Sequence, residues 1–274
     1  MTSNTLRILI IGAHPDDPEF GAGGVAALYS RQGHQVKMVA LTNGEAGHHE
    51  VWGEPLAQRR REESAAAGAC LGAEYLVLDN RDETLLPTLE VRYQVITIMR
   101  EFRPDLVMTH RPYDYHPDHR YTSQVVQDSL IPVILRGVLP DVPALPANPV
   151  VVHTWDRFQK PRPFTPDVVV SIDDVVEKKV DALHCHVSQM YESTPYYRQL
   201  KVPEDPGEWR SWLREYLDDR LSTPANLYRD RLIELYGEEK GGQIKYAEAF
   251  EACEYGTPLS DDNLRRLFPF FGAQ

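Results

Sequence analysis

Short apolar runs rich in β-branched residues recur along the chain, separated by stretches whose apolar positions repeat at helical spacing. The runs predict strands over Arg7–Gly12, Gln35–Leu41, Glu74–Leu78, Asp105–Thr109, Val150–Trp155 and Val168–Ile172. The intervening pattern predicts helices over Gly23–Gln32, Pro55–Leu71, Glu90–Glu101, His119–Leu135 and Asp173–Glu192. Regular alternation of strand and helix is the mark of an α/β protein with a Rossmann-like, doubly wound, mainly parallel sheet. Two proline-rich stretches, "LPDVPALPANP" at 139–149 and "QKPRPFTPD" at 159–167, read as loops because strand pattern resumes after each. From about Ser193 the pattern turns aromatic, charged and mostly helical. The expected organisation is therefore a core of residues 1–192 with a helical C-terminal appendage, residues 193–274, packed on it. No internal repeat or low-complexity tract is visible.

Composition narrows the function classes. The 274 residues are 42% hydrophobic and 26% charged, enough to bury a substantial core. A formal net charge of −12, with "QRRR" at 58–61 as the one basic run, argues against a nucleic-acid partner. Cys70, Cys185 and Cys253 are widely spaced and odd in number, which fits buried thiols and neither a disulfide framework nor a CxxC metal site. The opening run "LRILIIGA" is too short for a signal-peptide core with its cleavage site. No window approaches the roughly 18–20 apolar residues of a membrane span. The expected location is the cytoplasm, with no membrane partner.

The candidate chemistry begins where the first strand ends. In "IGAHPDDPEFGAGG", residues 11–24, a histidine and two adjacent aspartates precede a glycine cluster. A diphosphate-binding turn would offer backbone N–H groups there, and two carboxylates would repel the ligand. The turn calls for a cation. In a doubly wound sheet of central order 3-2-1-4, ligands bind at the carboxyl ends of strands 1 and 4. The fourth strand is followed by "THRPYDYHPDHR", residues 109–120. His14, Asp16 and Asp17 should therefore meet His116 and His119 in one crevice. That is a nitrogen and oxygen set of the kind zinc accepts with three protein ligands and an open position. Taken singly, "HPDD" or "HPDH" is equally a turn entering a helix; their joint occurrence at the switch point favours the metal. Gly21, Gly23 and Gly24 read as close-packing positions, since no intact GxGxxG is present. His48, His49, His153, His184 and His186 read as scattered surface or core histidines.

These two stretches resemble the signature motifs of the LmbE-like (PIG-L) zinc-dependent de-N-acetylases, which remove acetyl groups from N-acetylglucosamine-type amides. Weaker echoes are "LTNGEAG" after the second strand, "RREESAAAGACLG" at 60–72, "HVSQ" at 186–189 and "YAEAF" at 246–250. Pro18 stands where many relatives carry another residue, and residues 193–240 match nothing. The resemblance implies His14, Asp17 and His119 as ligands of one zinc per chain; iron(II), cobalt or manganese suit the same set. It implies Asp16 as the general base toward the attacking water. It implies His116 as the imidazolium that steadies the developing oxyanion or protonates the departing amine, with Asp118 orienting His116 and raising its pKa. Arg60 matches an arginine that reaches substrate in some relatives, although an ion pair with Glu63 or another carboxylate fits as well. Asp82 aligns with an aspartate near the sugar pocket or is a loop cap, and Asp114 supports the "HPDH" loop.

The expectation is a deacetylase of a small N-acetylated sugar or its conjugate, with a homo-oligomer, hexamer or dimer, as in relatives. Alternatives are a non-sugar amide substrate, a non-catalytic nucleotide-binding Rossmann protein, and a homologue that binds metal without turnover. Residues 139–149 and the segment after Ser193 are expected to shape specificity.

Overall fold

In the computed structural model, which describes residues 5–271, each strand run becomes a strand. The ends of the expected division, residues 1–4 and 272–274, lie outside the described residues. The core repeats strand and helix: β1 (Arg7–Gly12), α1 (Asp17–Arg31), β2 (Gln35–Thr42), α2 (Glu54–Leu71), β3 (Glu74–Asn80), α3 (Leu89–Phe102), β4 (Leu106–Thr109) and α4 (Pro117–Ser129). β5 (Val150–Thr154), β6 (Val168–Ser171) and α5 (Val176–His184) follow. The sheet order is β3-β2-β1-β4-β5-β7-β6, with the first five strands parallel. The expected central order and switch point between β1 and β4 are both present.

β1 has no polar alternation because it is buried on both faces. Ile8 and Ile10 join one apolar cluster with Met38 and Met108, while Leu9 and Ile11 join a second with Val39 and Val107. Each such side chain contributes about 1.5–3 kcal/mol by leaving water. α1 lies so close to the sheet that a Cβ at Gly24 would meet Ile172 Cγ2 at 2.5 Å, and one at Gly21 would meet Thr154 Cγ2 at 2.9 Å. The close-packing reading of these glycines holds.

Three expectations are corrected. The helix expected over Asp173–Glu192 stops at His184 and is followed by a π-helical turn, Ser188–Ser193. The helix expected to reach Leu135 stops at Ser129. The C-terminal segment is also more than a helical appendage. It forms α6 (Thr194–Arg198), α7 (Trp209–Leu227), α8 (Arg229–Tyr236) and α9 (Glu238–Gln243), and then returns as β7 (Ala247–Ala252), antiparallel between β5 and β6; α10 (Asp261–Leu267) follows. "AEAFEA" has helix-forming composition, yet its two glutamates are buried and paired. Glu248 accepts from Lys179 Nζ at 2.6 Å and from the N–H groups of Gly24 and Val25, and Glu251 accepts from Arg111 and Arg162.

The 139–149 loop turns away from the switch point. The buried Arg100 guanidinium donates to the carbonyls of Leu139 and Val142, at 3.0 and 2.8 Å, and to those of Pro132 and Leu135. Leu145 joins the α3/α4 face of the core. The loop is thus a structural brace packed with α3 and α4, and none of its residues lines the cavity of the site, contrary to its expected role in specificity.

Candidate metal centre and active site

The turn from β1 into α1 aims two adjacent carboxylates in different directions. Asp17 opens the helix, and its Oδ2 accepts from the N–H groups of Ala13 and His14 at 3.1 and 2.7 Å. Asp16, at the N-cap, has φ 122° and ψ −26°, a region L-residues rarely occupy and one that costs on the order of 1–3 kcal/mol. Arg60 secures that conformation by donating to the Pro15 carbonyl and, at 3.3 Å, to Asp16 Oδ2.

Three donor atoms converge beside Asp17. His14 Nδ1 lies 3.2 Å from Asp17 Oδ2, His119 Nε2 lies 3.3 Å from the same oxygen, and the two ring nitrogens are 3.3 Å apart. A tetrahedral ion with nitrogen and oxygen bonds of about 2.0–2.1 Å spaces its ligand atoms about 3.3–3.4 Å apart. Two ring nitrogens and one carboxylate oxygen cannot all hydrogen-bond one another at these distances, but all three can face one cation. The residues present fit a bound divalent metal.

Behind the triangle, carboxylates hold the rings. His14 Nε2 is 3.3 Å from both Asp82 Oδ1 and Asp118 Oδ2. Asp118 is wholly buried, and its other oxygen accepts from Leu85 N–H at 3.2 Å. His119 Nδ1 is 3.1 Å from Asp114 Oδ2. This corrects one expectation. Asp118 faces His14 and not His116, because the α4 N-terminus turns its carboxylate inward while its backbone N–H donates to His116 Nδ1 at 3.2 Å. Asp82 also reaches His14 and the N–H groups of Ala46 and Glu83, and it lines the cavity described below. His116 has a different carboxylate partner, Glu83, whose Oε1 is 3.2 Å from His116 Nε2. Since outer carboxylates typically carry a 10–100-fold effect on metal affinity, Asp118→Asn should weaken metal binding by roughly that factor in chelator competition. Unchanged metal affinity in Asp118→Asn would show that its contact with His14 does not position a ligand ring.

Sequence reasoning missed Glu83 and His110. His110 directly follows β4, its Nε2 is 3.3 Å from Asp17 Oδ2, and its ring stacks on His119 with centroids 4.0 Å apart. Its place at the strand's carboxyl end was the available signal. Arg60 is on Asp16; Glu63 pairs instead with Arg59 and accepts from Ser188. Among the other histidines, His186 is fully buried on Glu19 at 2.8 Å and His48 lies on Glu192.

The electrostatics separate the paired aspartates. Burial pushes the Asp16 carboxyl up to about 6, with Arg60 opposing and Asp17 adding to the push. Burial would raise Asp17 too, but His119 and His110 hold it well below the usual carboxylate range. Neighbouring carboxyls pushed apart in this way are the physical basis for one acting as ligand and the other as base. Burial also works against a charged His119, yet Asp17 and Asp114 outweigh it and raise the ring to about 9 in the metal-free protein. A histidine raised above its unfolded value of about 6.5 stabilises the fold fully below that pH, by about 3 kcal/mol at most, and loses the contribution as pH climbs to 9. A metal ligand must be deprotonated, so the loaded protein lacks this dependence. The gap in Tm between loaded and metal-free protein should therefore widen from pH 6.5 to 9; a constant gap would speak against His119 as a ligand.

The site opens into a cavity of about 760 Å³ bounded by α1, the loop after β4, residues 154–158, and α6 and α7. Among the described residues no helix is long and apolar enough to cross a membrane.

Comparison with known proteins adds four findings. The sequence profile of the PIG-L family, described as GlcNAc-PI de-N-acetylase, matches residues 9–130. Diacetylchitobiose deacetylase of Thermococcus kodakarensis is 32% identical over 211 residues, covering 72% of this chain and 76% of that protein. The 4-oxalmesaconate hydratase of Pseudomonas putida is 29% identical over 215 residues, covering 73% of this chain and 82% of that protein. Among solved structures, N,N'-diacetylchitobiose deacetylase from Pyrococcus horikoshii superposes with a TM-score of 0.67 at 26% identity, over 90% of this chain and 83% of that one.

Proposed function

Because the chain belongs to the PIG-L family of de-N-acetylases, we propose that it hydrolyses the acetamido group of an N-acetylated amino sugar or its conjugate. The observation that carries this reading is the split pair Asp16 and Asp17, one carboxylate in the donor triangle and the other beside it with its pKa raised. His14, Asp17 and His119 would hold the metal, with zinc the ion we assign and iron(II), cobalt or manganese suited to the same donors. When bound, such an ion acts as a Lewis acid toward the acetyl carbonyl and lowers the pKa of water.

The chain's own residues supply the rest. Asp16 takes a proton from the attacking water, and Arg60 keeps its carboxylate aimed through the strained N-cap. Water oxygen bonds to the acetyl carbon, the C–N bond breaks, and the nitrogen needs a proton to leave as an amine. Asp16 returns to it the proton taken from water, while the Nε2–H of His116, the tautomer set by the Asp118 N–H on Nδ1, donates to the developing acetyl oxyanion; before substrate arrives that N–H faces Glu83. Asp118, Asp82 and Asp114 fix the two ligand rings. The products are free amine and acetate.

Acetate release from N-acetylglucosamine, diacetylchitobiose and N-acetylglucosaminyl conjugates, run with metal analysis, tests the reading. The hydratase relative favours a second one, in which the same water-activating groups add water across a carbon–carbon double bond. Hydration of an unsaturated dicarboxylate without any acetate release would select it.

A further inference from the structure

We infer that the cavity wall formed by α6 and α7 is an oxyanion subsite, built by Arg198 and Arg220, so that the substrate carries a carboxylate or phosphate on the part remote from its acetamido group. The inference rests on the deacetylase reading for the reaction, though not for the charge.

Several arginines of this region are neutralised by carboxylates. Arg111 reaches Asp156 and Glu251, Arg214 reaches Glu177 and Asp218, and Arg60 reaches Asp16. Arg198 and Arg220 both line the cavity, and among the described residues neither has a carboxylate within ion-pair distance. Arg198 donates only to Tyr216 Oη, at 3.1 Å, and Arg220 lies over the Phe20 ring, 4.9 Å from its centroid. Arg157, on the same wall, lies over the Trp155 ring and pairs with the highly exposed Asp219 at 2.9 Å. Carboxylates are not scarce: the chain has 41 acidic residues against 29 basic ones. Two guanidinium groups left unpaired in a cavity of such a chain have their donors turned toward whatever fills it.

The opposite end of the cavity is acidic, with Asp16, Asp17, Glu83 and Asp114 around the metal triangle. Arg60 and Arg111, which also line it, are held by carboxylates, and Asp156 and Asp219 are held by Arg111 and Arg157, so the charge left unpaired is acidic at the floor and guanidinium at the wall. A neutral acetamide suits the floor and an oxyanion suits the wall, where planar forks pair with two oxygens at once. The volume lies within the roughly 300–1,000 Å³ of small-molecule sites, leaving room for a sugar and a charged substituent. Arg220 is accessible from the cavity yet flanked by protein. Its pKa is depressed by its protein surroundings first and then by Arg157 and Arg198, against a smaller opposing pull from Asp17.

Three probes test this: N-acetylglucosamine linked to a hydroxycarboxylic acid, the primary amide of that conjugate, and N-acetylglucosamine 1-phosphate. The wild-type protein should favour one or both oxyanion probes over the amide by about tenfold or more in kcat/KM, as charge-assisted pairs predict. Arg220→Gln should collapse that ratio, and Arg220→Lys should restore part of it. Whichever probe carries the preference distinguishes carboxylate from phosphate. Binding of the acid probe to metal-free protein, by calorimetry, should weaken in Arg220→Gln and at higher salt. If Arg220→Gln does not fold, Arg198→Gln, at the exposed end of α6, serves the same comparison. Acetate release from acid, phosphate and amide at equal rates would overturn the subsite and leave the deacetylase reading standing. Arg220-dependent binding of the acid probe without acetate release would support the subsite and overturn that reading. Absence of both preference and arginine-dependent binding would overturn the subsite.

Discussion

Asp16→Asn is expected to retain its full metal complement and to turn over about 10²–10⁴-fold more slowly, the usual contribution of a general base. The amide keeps the size of the side chain and can still accept from Arg60 Nη2, so the N-cap conformation and the Asp17 donor should survive. What it cannot do is take a proton from water. The wild-type rate should fall as pH drops through the Asp16 titration, at or below about 6, since only the ionised carboxylate is a base and a bound cation adds to the pull of Arg60. The variant's residual rate should lack that limb. Metal content by elemental analysis and kcat across pH 5–8 check both halves. Near-normal turnover at saturating metal would remove Asp16 from the mechanism.

His119→Ala should lose metal and activity together. It takes one corner from a triangle whose other donors are His14 Nδ1 and Asp17 Oδ2, leaving two protein ligands where such an ion takes three. His110 does not fill the gap, because its Nε2 already accepts from Ala13 N–H at 3.1 Å. Dialysed variant should be largely metal-free, with activity returning only in part as metal is added in excess. Asp17→Asn should behave similarly but more mildly, since a neutral oxygen replaces an anionic one and still occupies the corner. Full occupancy in His119→Ala would show that the ion sits elsewhere.

The sheet and the meeting of the two motifs were legible because they depend on local signals. Strand runs buried on both faces announce themselves as unbroken apolar stretches, and the switch point then follows from topology. The choice of three donors among the residues that meet there came from the family resemblance. What surrounds them was harder to read, because spacing within "HPDH" does not say which way a helix N-terminus turns a carboxylate. Asp118 and His116 are two residues apart, yet one is buried against His14 and the other reaches Glu83 from a different loop. β7 was hidden because Glu248 and Glu251 read as solvent-facing, when their partners Lys179 and Arg111 lie well upstream in the chain. The arginine wall is non-local in the same sense: α6 and α7 carry no motif, and only packing brings Arg198 and Arg220 over the cavity.

β7 has a consequence for how the molecule is made. It is translated after β5 and β6 but sits between them, so a growing chain that has emerged only through α9 presents two strand edges facing a gap of two inter-strand spacings, about 10 Å. Such edges are open to mispairing, and their closure by a distant segment is slow relative to local helix formation. Residues 172–246 are consequently a loop whose two ends are stitched into one sheet. Their helices reach final positions only when the last strand slots home. A nascent or truncated chain that lacks β7 therefore has a complete set of metal donors and neither a closed sheet nor a seated wall above them, and it should bind metal before it can select a substrate.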